Sequence, residues 1–439
     1  MKTIPLTIYA LLLATGSSIA QDNVQRVKTI NTKTSTISGS TQNSGKLGRT
    51  EVLSTTAFPK RTNAFEVDVK KAFNQADKQT LVMLKEIEKV KVAGAKADQV
   101  SPRTLEDGNL RLVASRDWTS GFFPGELWFL YQYTGKQQWL DQAKAYTALI
   151  EQEQFNGKTH DMGFKVYCSV GTGYRVTKDK HYADVIIQSA KTLATRFNPK
   201  TGVIRSWDHS TDKWGNPVII DNMMNLELLF EATVLTGDSS FHKIAVSHAN
   251  TTMKNHFRPD YSSYHVVDYD PNTGAVLKRQ THQGYSHESA WARGQAWALY
   301  GYTLCYRFTK DPAYLKQAEN IARFILNHKN MPADLVPYWD FDAPNIPNEP
   351  RDASAAAVIA SGLYELSGYS KNKNLYLQKA DKMLNSLATK YVSPVGENKG
   401  FILISSTGSK PSNSEVDVPL SYADYYYLEA LLRYKALKR

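Results

Sequence analysis

Two aspartates stand where this chain could move a proton. Asp221 follows the apolar run Val218-Ile219-Ile220 and opens Asn222-Met223-Met224-Asn225. An acid set among apolar residues loses hydration on folding, which raises its pKa and lets it hold a proton near neutrality, as a general acid must. Asp161 follows His160 and precedes Met162-Gly163-Phe164, at the predicted start of another helix. Each aspartate also has a plainer reading as a helix N-cap, a role that stabilises by about 1 kcal/mol. Two such acids on neighbouring helices resemble the paired carboxylates that cleave sugars, and the pair says more than either member.

A second group lies further on. His265 and His282 flank a strand-like or loop segment, and Gln283, Arg293 and Trp297 follow. Arg293 and Trp297 are four residues apart and share a helix face. There the guanidinium could grip a carboxylate bidentately while the indole stacks on a ring. The alternative is an arginine packed on a tryptophan between helices. No His-x-x-x-His or Cys-rich spacing argues for a metal, and the chain carries no Gly-rich phosphate loop, Gly-x-Ser-x-Gly elbow or dinucleotide fingerprint. Cys168 and Cys305 sit in helical runs; they could pair in an exported protein, but read more simply as buried thiols.

The elements that position these residues repeat. A helical run ends in a short polar turn and a second amphipathic run follows at once. The turns are Thr134-Gly135, Thr177-Lys178-Asp179, Thr236-Gly237-Asp238, Thr309-Lys310-Asp311 and, more loosely, Ser370-Lys371. Three of them place an alanine nine residues after the threonine, at Ala143, Ala245 and Ala318. Apolar spacing predicts a first helix beginning near 63, then helices near 122–133, 138–153, 164–176, 180–196, 221–235, 239–254, 287–308, 312–328, 353–367, 373–390 and 421–437. About twelve helices in six consecutive hairpins predict an all-α closed toroid, the (α/α)6 barrel, with an open superhelical stack as the alternative. Tight turns would join inner to outer helices, and the longer links would share one end of the barrel. Those links hold nearly every Trp, His and acid of interest, as loops on a rigid scaffold often do.

The ends of the chain read differently. Lys2, the apolar stretch Ile4 to Ala14 and Ser18-Ile19-Ala20 form a predicted signal peptide over 1–20, too short to span a bilayer. Residues 21–62 form a polar leader, and 63–439 the barrel domain. The protein is thus expected to be exported, to the periplasm rather than the medium, with no membrane anchor. The net charge is +11, but much of the excess lies in the leader. No basic run interleaved with aromatics suggests nucleic-acid binding, and the charge favours an anionic substrate mildly.

Several motifs occur in a familiar order: Trp118-Thr-Ser-Gly-Phe122-Phe-Pro-Gly, His160-Asp161-Met-Gly-Phe164, Asp221-Asn-Met-Met-Asn225, Ser-Tyr-His265, and His282-Gln283-Gly-Tyr-Ser running to Trp-x-Arg293-Gly-Gln-x-Trp297. With Glu415-Val-Asp417 and Tyr422-x-Asp424 they resemble the unsaturated glucuronyl hydrolases, glycoside hydrolase family 88, over roughly 64 to 437. The resemblance implies an (α/α)6 barrel that hydrates the C4=C5 double bond left by polysaccharide lyases on a terminal uronic acid. It implies Asp221 as the acid that protonates C4 and assists water at C5, and Asp161 as the second essential acid. Gln283, Arg293, Trp118 and His265 would surround the uronate, Trp207 and Trp297 would wall the pocket, and Phe122, His160 and His282 would line it. No metal or organic cofactor is implied, and the partner is an unsaturated uronyl oligosaccharide of glycosaminoglycan type. Ser120 departs from relatives that carry an acid there. Ser406, Ser409 and Lys410 lie where some relatives bind a sulfate, but the spacing fits a flexible polar loop better. The alternatives are an unsaturated rhamnogalacturonyl or ulvan-fragment hydrolase, an ordinary inverting glycosidase, and a barrel that only binds oligosaccharides.

Overall fold

The computed structural model of the protein describes residues 65–438. The predicted signal peptide (1–20) and polar leader (21–62) lie outside the described residues, as do the first two positions of the barrel predicted from 63. Twelve α-helices run through the described residues: α1 (Val69–Val92), α2 (Phe122–Thr134), α3 (Gln137–Ala148), α4 (Thr172–Thr177), α5 (Lys180–Ala194), α6 (Asn222–Thr236), α7 (Ser239–Asn255), α8 (Ala292–Thr309), α9 (Pro312–Asn327), α10 (Ala353–Ser367), α11 (Lys373–Lys390) and α12 (Ser421–Leu437).

The tight turns work by one device. Thr134, Thr177, Thr236 and Thr309 each donate a hydroxyl hydrogen bond to the carbonyl four residues back, and each accepts the N–H two residues on. The residue between, Gly135, Lys178, Gly237 or Lys310, takes positive φ and ends the helix. Asp179, Asp238 and Asp311 then cap the next helix by accepting the N–H of His181, Ser240 and Ala313. At the fifth turn Ser370 replaces threonine and accepts from Asn372 N–H.

Each such turn folds an outer helix back on an inner one. The inner ring consists of α2, α4 with the π-helical stretch Gly163–Gly171 before it, α6, α8, α10 and α12. Each member packs on the next and α12 packs on α2, so the ring closes and the open stack is excluded. The sixth pair is not a consecutive hairpin: α1 completes the outer ring beside α12 and α2. Inner helices are buried nearly all round, as in the unbroken run Phe122–Leu130 of α2. Outer helices bury one stripe, such as Tyr314, Ala318, Ile321, Ala322 and Ile325 of α9. Ala143, Ala245 and Ala318 are fully buried, at positions where a small side chain lets two helices approach. Gly301 of α8 serves the inner ring likewise, since a Cβ there would lie 2.5 Å from Met223 Cβ. Cys168 and Cys305 are free, buried thiols.

The long links hold strands that the helical pattern did not announce. β1 (Gln99–Glu106) and β2 (Asn109–Ala114) form a hairpin before α2, and β3 (Phe197–Asn198) pairs with β4 (Val203–Ile204). β5 (Pro217–Ile219), β6 (Val266–Tyr269) and β7 (Val276–Gln280) make an antiparallel sheet in that order. Four helix boundaries also differ: the first helix, expected from near 63, starts at Val69, where Asp68 caps it by accepting Lys71 N–H. The helix expected near 287–308 starts at Ala292, because Tyr285 N–H and Ser289 Oγ donate to Asp340 and Ala290 N–H donates to Asp342. The helix expected over 164–176 is π-helical to Gly171 and α-helical afterwards. The helix expected over 138–153 ends at Ala148 and continues as a short 3-10 turn, Glu151–Phe155. Among the described residues no helix is long and apolar enough to cross a membrane.

Candidate active site

Sheet register brings the first two residues together. Ile219 of β5 faces Val266 of β6, and the pairing extends one step further as Ile220 N–H donates to His265 O at 3.0 Å. Asp221 and His265 therefore leave the sheet at one end, with His265 Nε2 3.7 Å from Asp221 Oδ2. His265 Nδ1 accepts the backbone N–H groups of His282 and Gln283, both at 3.1 Å. The ring proton of the neutral imidazole must then sit on Nε2, toward Asp221. Burial holds that imidazole neutral by pushing its pKa well below the ordinary value.

The Asp221 side chain caps nothing, although it stands at the N-cap position of α6. It is 7% exposed. Burial pushes its pKa up to about 7; the Arg293 charge pulls the other way, and Asp161 adds to the rise. Its carboxyl group is therefore protonated through part of the neutral range.

Asp161 escapes capping by another route. Asn225, one turn into α6, reaches across and its Oδ1 accepts Gly163 N–H at 2.7 Å and Phe164 N–H at 3.1 Å. A side chain of the neighbouring inner helix thus satisfies the start of the π-helical stretch. The approach needs Gly163, whose Cβ would lie 2.7 Å from Asn225 Cα. Asp161 keeps its own contacts, with Thr159 Oγ1 donating to Oδ2 at 2.9 Å and His160 Nε2 3.2 Å from Oδ1. Thr159 also forms an antiparallel bridge with Trp207, which ties the segment of this acid to that of the tryptophan.

Two aromatic groups flank the acids. Trp118 lies 5.8 Å from Phe122 and 4.9 Å from Tyr422, and Phe164 lies 5.1 Å from Trp297 (ring centroids). On the other side Trp207 lies 5.4 Å from Trp214 and 5.7 Å from His282, with His209 stacked on it at 5.1 Å.

Arg293 is only 1% exposed and has partners that the sequence did not announce. Nη1 donates to Asp352 Oδ2 at 2.7 Å and to Thr407 O at 2.6 Å, while Nη2 donates to Gly408 O at 2.5 Å. Gln283 Nε2 donates to the same Gly408 carbonyl at 3.0 Å. The guanidinium fork expected to face a ligand carboxylate is thus engaged by the 405–418 strap, and only Nε finds no protein partner. Nor does Arg293 pack on Trp297; its Cζ lies 4.5 Å from the Trp291 ring centroid and 5.3 Å from that of Tyr422. Ser406, Ser409 and Lys410, read from sequence as a polar loop rather than a sulfate clamp, lie on this strap, where Ser409 Oγ donates to Ser412 Oγ at 3.1 Å.

Buried polar atoms without a protein partner gather here. They include Asp221 Oδ2, His265 Nε2, His160 Nδ1, Trp207 Nε1, Trp297 Nε1, Arg293 Nε and the Tyr422 hydroxyl. Each would cost about 1–3 kcal/mol if left unsatisfied, and such donors and acceptors are what a polar ligand could engage. Among the described residues no group of three or more His, Cys, Asp or Glu is arranged to hold a metal ion.

The sequence profile described as Glycosyl Hydrolase Family 88 matches residues 90–435. The chain belongs to that family. It is 55% identical over 323 residues to the unsaturated glucuronyl hydrolase of Formosa agariphila, covering 73% of this chain and 80% of the relative. It is 33% identical over 347 residues to the unsaturated chondroitin disaccharide hydrolase of Streptococcus pneumoniae, covering 77% and 87%. The crystal structure of an unsaturated glucuronyl hydrolase specific for heparin superposes with a TM-score of 0.79 at 49% identity, covering 84% of this chain and 97% of that one. Within this family 88 barrel, the residues singled out from sequence gather at the N-terminal ends of the inner helices. Three others were not foreseen there. Asn225 was visible inside a motif, but its capping partner was not. Trp214 had only its residue type to point to it. Asp352 had only the local signal of a helix cap before residue 353, because its partner Arg293 is 59 residues away.

Proposed function

We propose that this glycoside hydrolase removes the unsaturated uronic acid from the non-reducing end of lyase-generated oligosaccharides by hydrating the C4=C5 double bond. Asp221 gives its proton to C4, and the resulting carboxylate accepts a proton from the water that adds to C5. The hemiketal so formed opens and releases the remaining sugar. Asp161 helps to place the water and the sugar hydroxyls. Trp118, Phe122, Trp207 and Trp297 wall the ring; His160, His265, His282 and Gln283 line it. Arg293 contributes positive charge to the uronate side, with Nε as its free donor.

The observation that carries this reading is the state of Asp221: buried, uncapped, protonated near neutrality and set among unpartnered polar atoms. That is the condition of a general acid. Glycosaminoglycan fragments are the substrate class, supported by 49% identity to the heparin-specific relative. The signal-like start of the chain supports export to the periplasm. The test is to follow loss of the ultraviolet absorbance of unsaturated heparin and chondroitin disaccharides, with saturated analogues as controls. Consumption of the saturated sugars instead would overturn the hydration mechanism.

A further inference from the structure

Asp352 lies away from the acids, fully buried at the start of α10. Its Oδ1 caps that helix by accepting Ser354 N–H at 3.1 Å and Ala355 N–H at 3.3 Å, and it also receives Thr407 N–H at 3.5 Å. Oδ2 remains for Arg293 Nη1 at 2.7 Å. One carboxylate therefore holds Thr407 from both sides, directly by its N–H and through Arg293 by its carbonyl. The outer part of the strap is pinned separately, where Arg103 Nε and Nη2 meet Glu415 at 2.5 and 3.0 Å.

The arrangement also sorts charge. Arg293 faces Asp352, Asp221 and Tyr422. Asp221 faces Arg293 from α8, Asp161 from the link before α4, and His265 from the sheet edge. His160, His256 and His282 lie within electrostatic reach of His265, and His160 touches Asp161. Arg351, next to Asp352 in sequence, is turned away to Asp334 at 3.1 Å. Asp352 is thus the carboxylate that pairs with Arg293. Without it, Asp221 would be the acid whose charge still acts on that guanidinium, and an arginine's pull favours an ionised carboxylate over a proton-carrying one.

We propose that Asp352 is a positioning residue for the hydration reaction: it claims Arg293, so that the strap stays anchored at Thr407 and Asp221 is left free to carry a proton. This rests on the function proposed above.

The test compares wild-type full chain with Asp352→Asn and Asp352→Ser, both of which keep an oxygen to cap α10. For each, kcat/KM on an unsaturated disaccharide is measured from about pH 5 to about pH 9, where the general acid's titration appears as an alkaline limb. The expected result is an alkaline limb moved down by roughly one pH unit or more, with the rate at the acidic end kept within a few fold. A folded variant whose rate falls equally at all pH values, with the limb unmoved, would reduce Asp352 to a structural cap and overturn the proposal. A readout without turnover is the infrared carboxyl band of Asp221, assigned by its loss in Asp221→Asn. Its titration should shift downward in Asp352→Asn; an unchanged titration would also overturn the proposal. Failure of the wild-type chain to consume unsaturated sugar would count against the functional reading instead, and the infrared comparison would still decide this one.

Discussion

The two ends of the inner ring treat charge in opposite ways. Toward the C-terminal ends of the inner helices, Arg307 Nη1 meets Glu227 at 2.6 Å and Nε meets Glu365 at 2.7 Å. Arg433 lies 2.9 Å from Glu365 and 3.5 Å from Glu429, and Glu429 also accepts from Tyr300 and Ser361. None of these side chains leaves a buried polar atom without a partner. Toward the N-terminal ends, Asp221, His265, Trp207, Trp297 and Tyr422 each leave one. The same ring of helices thus closes its polar network at one end and, beside the Arg293–Asp352 pair, leaves unpartnered polar atoms at the other. A closed network resists change, whereas an open one can take up a ligand and a proton.

The comparison can be broken first at Asp221. Asp221→Asn should lower kcat/KM by about a thousandfold or more, within the range of general-acid effects. Wild-type kcat/KM should fall about tenfold per pH unit above about 7, as that acid loses its proton. The same variant should melt at a higher temperature at alkaline pH. The native state keeps this proton where the unfolded chain would not, so stability falls as pH rises from about 4 toward about 7. The burial penalty is complete above that window, and the asparagine removes it. A gain of equal size at about pH 4 and about pH 8 would contradict the assignment.

At the other end, Arg307→Met should cost about 2–3 kcal/mol in denaturant unfolding, a buried-pair loss discounted for the partial exposure of the arginine. Its kcat/KM should stay within about twofold; a large loss of rate in a stable protein would erase the division between the ends. Asn225→Ala joins both kinds of effect, because it uncaps the π-helical stretch beside Asp161. A stability loss of about 1–2 kcal/mol and a rate loss of about tenfold are expected from unfolding curves and kinetics together. The smallest effect belongs to the tight turns. Asp311→Ala should remove about 1 kcal/mol of capping and leave turnover unchanged.

Local chemistry made much of this legible. The threonine turns, the amphipathic outer helices and the acid after Val218-Ile219-Ile220 follow from neighbours in sequence, and the structure keeps them where the pattern put them. Long-range partners were hidden. Nothing near Asp161 said that Asn225 would cap its helix, 62 residues on from Gly163. Nothing near Arg293 pointed to carbonyls 114 and 115 residues away. The start of α8 shifted for the same reason, since Asp340 and Asp342 captured the backbone donors that would have begun it earlier. Periodicity reads the face that a helix buries, but not which distant segment competes for its ends.

The seam between α12 and α2 has a consequence during synthesis. Asp161, Asp221 and Arg293 all leave the ribosome before Ser421, where α12 begins. Until α12 is made, the inner ring lacks the helix that packs on both α10 and α2, and Trp118 lacks Tyr422 at its side. Nascent chains should therefore be inert toward sugar, with competence arriving late and all at once. A translation product arrested ahead of Ser421 that still bound an unsaturated disaccharide would contradict this order of assembly.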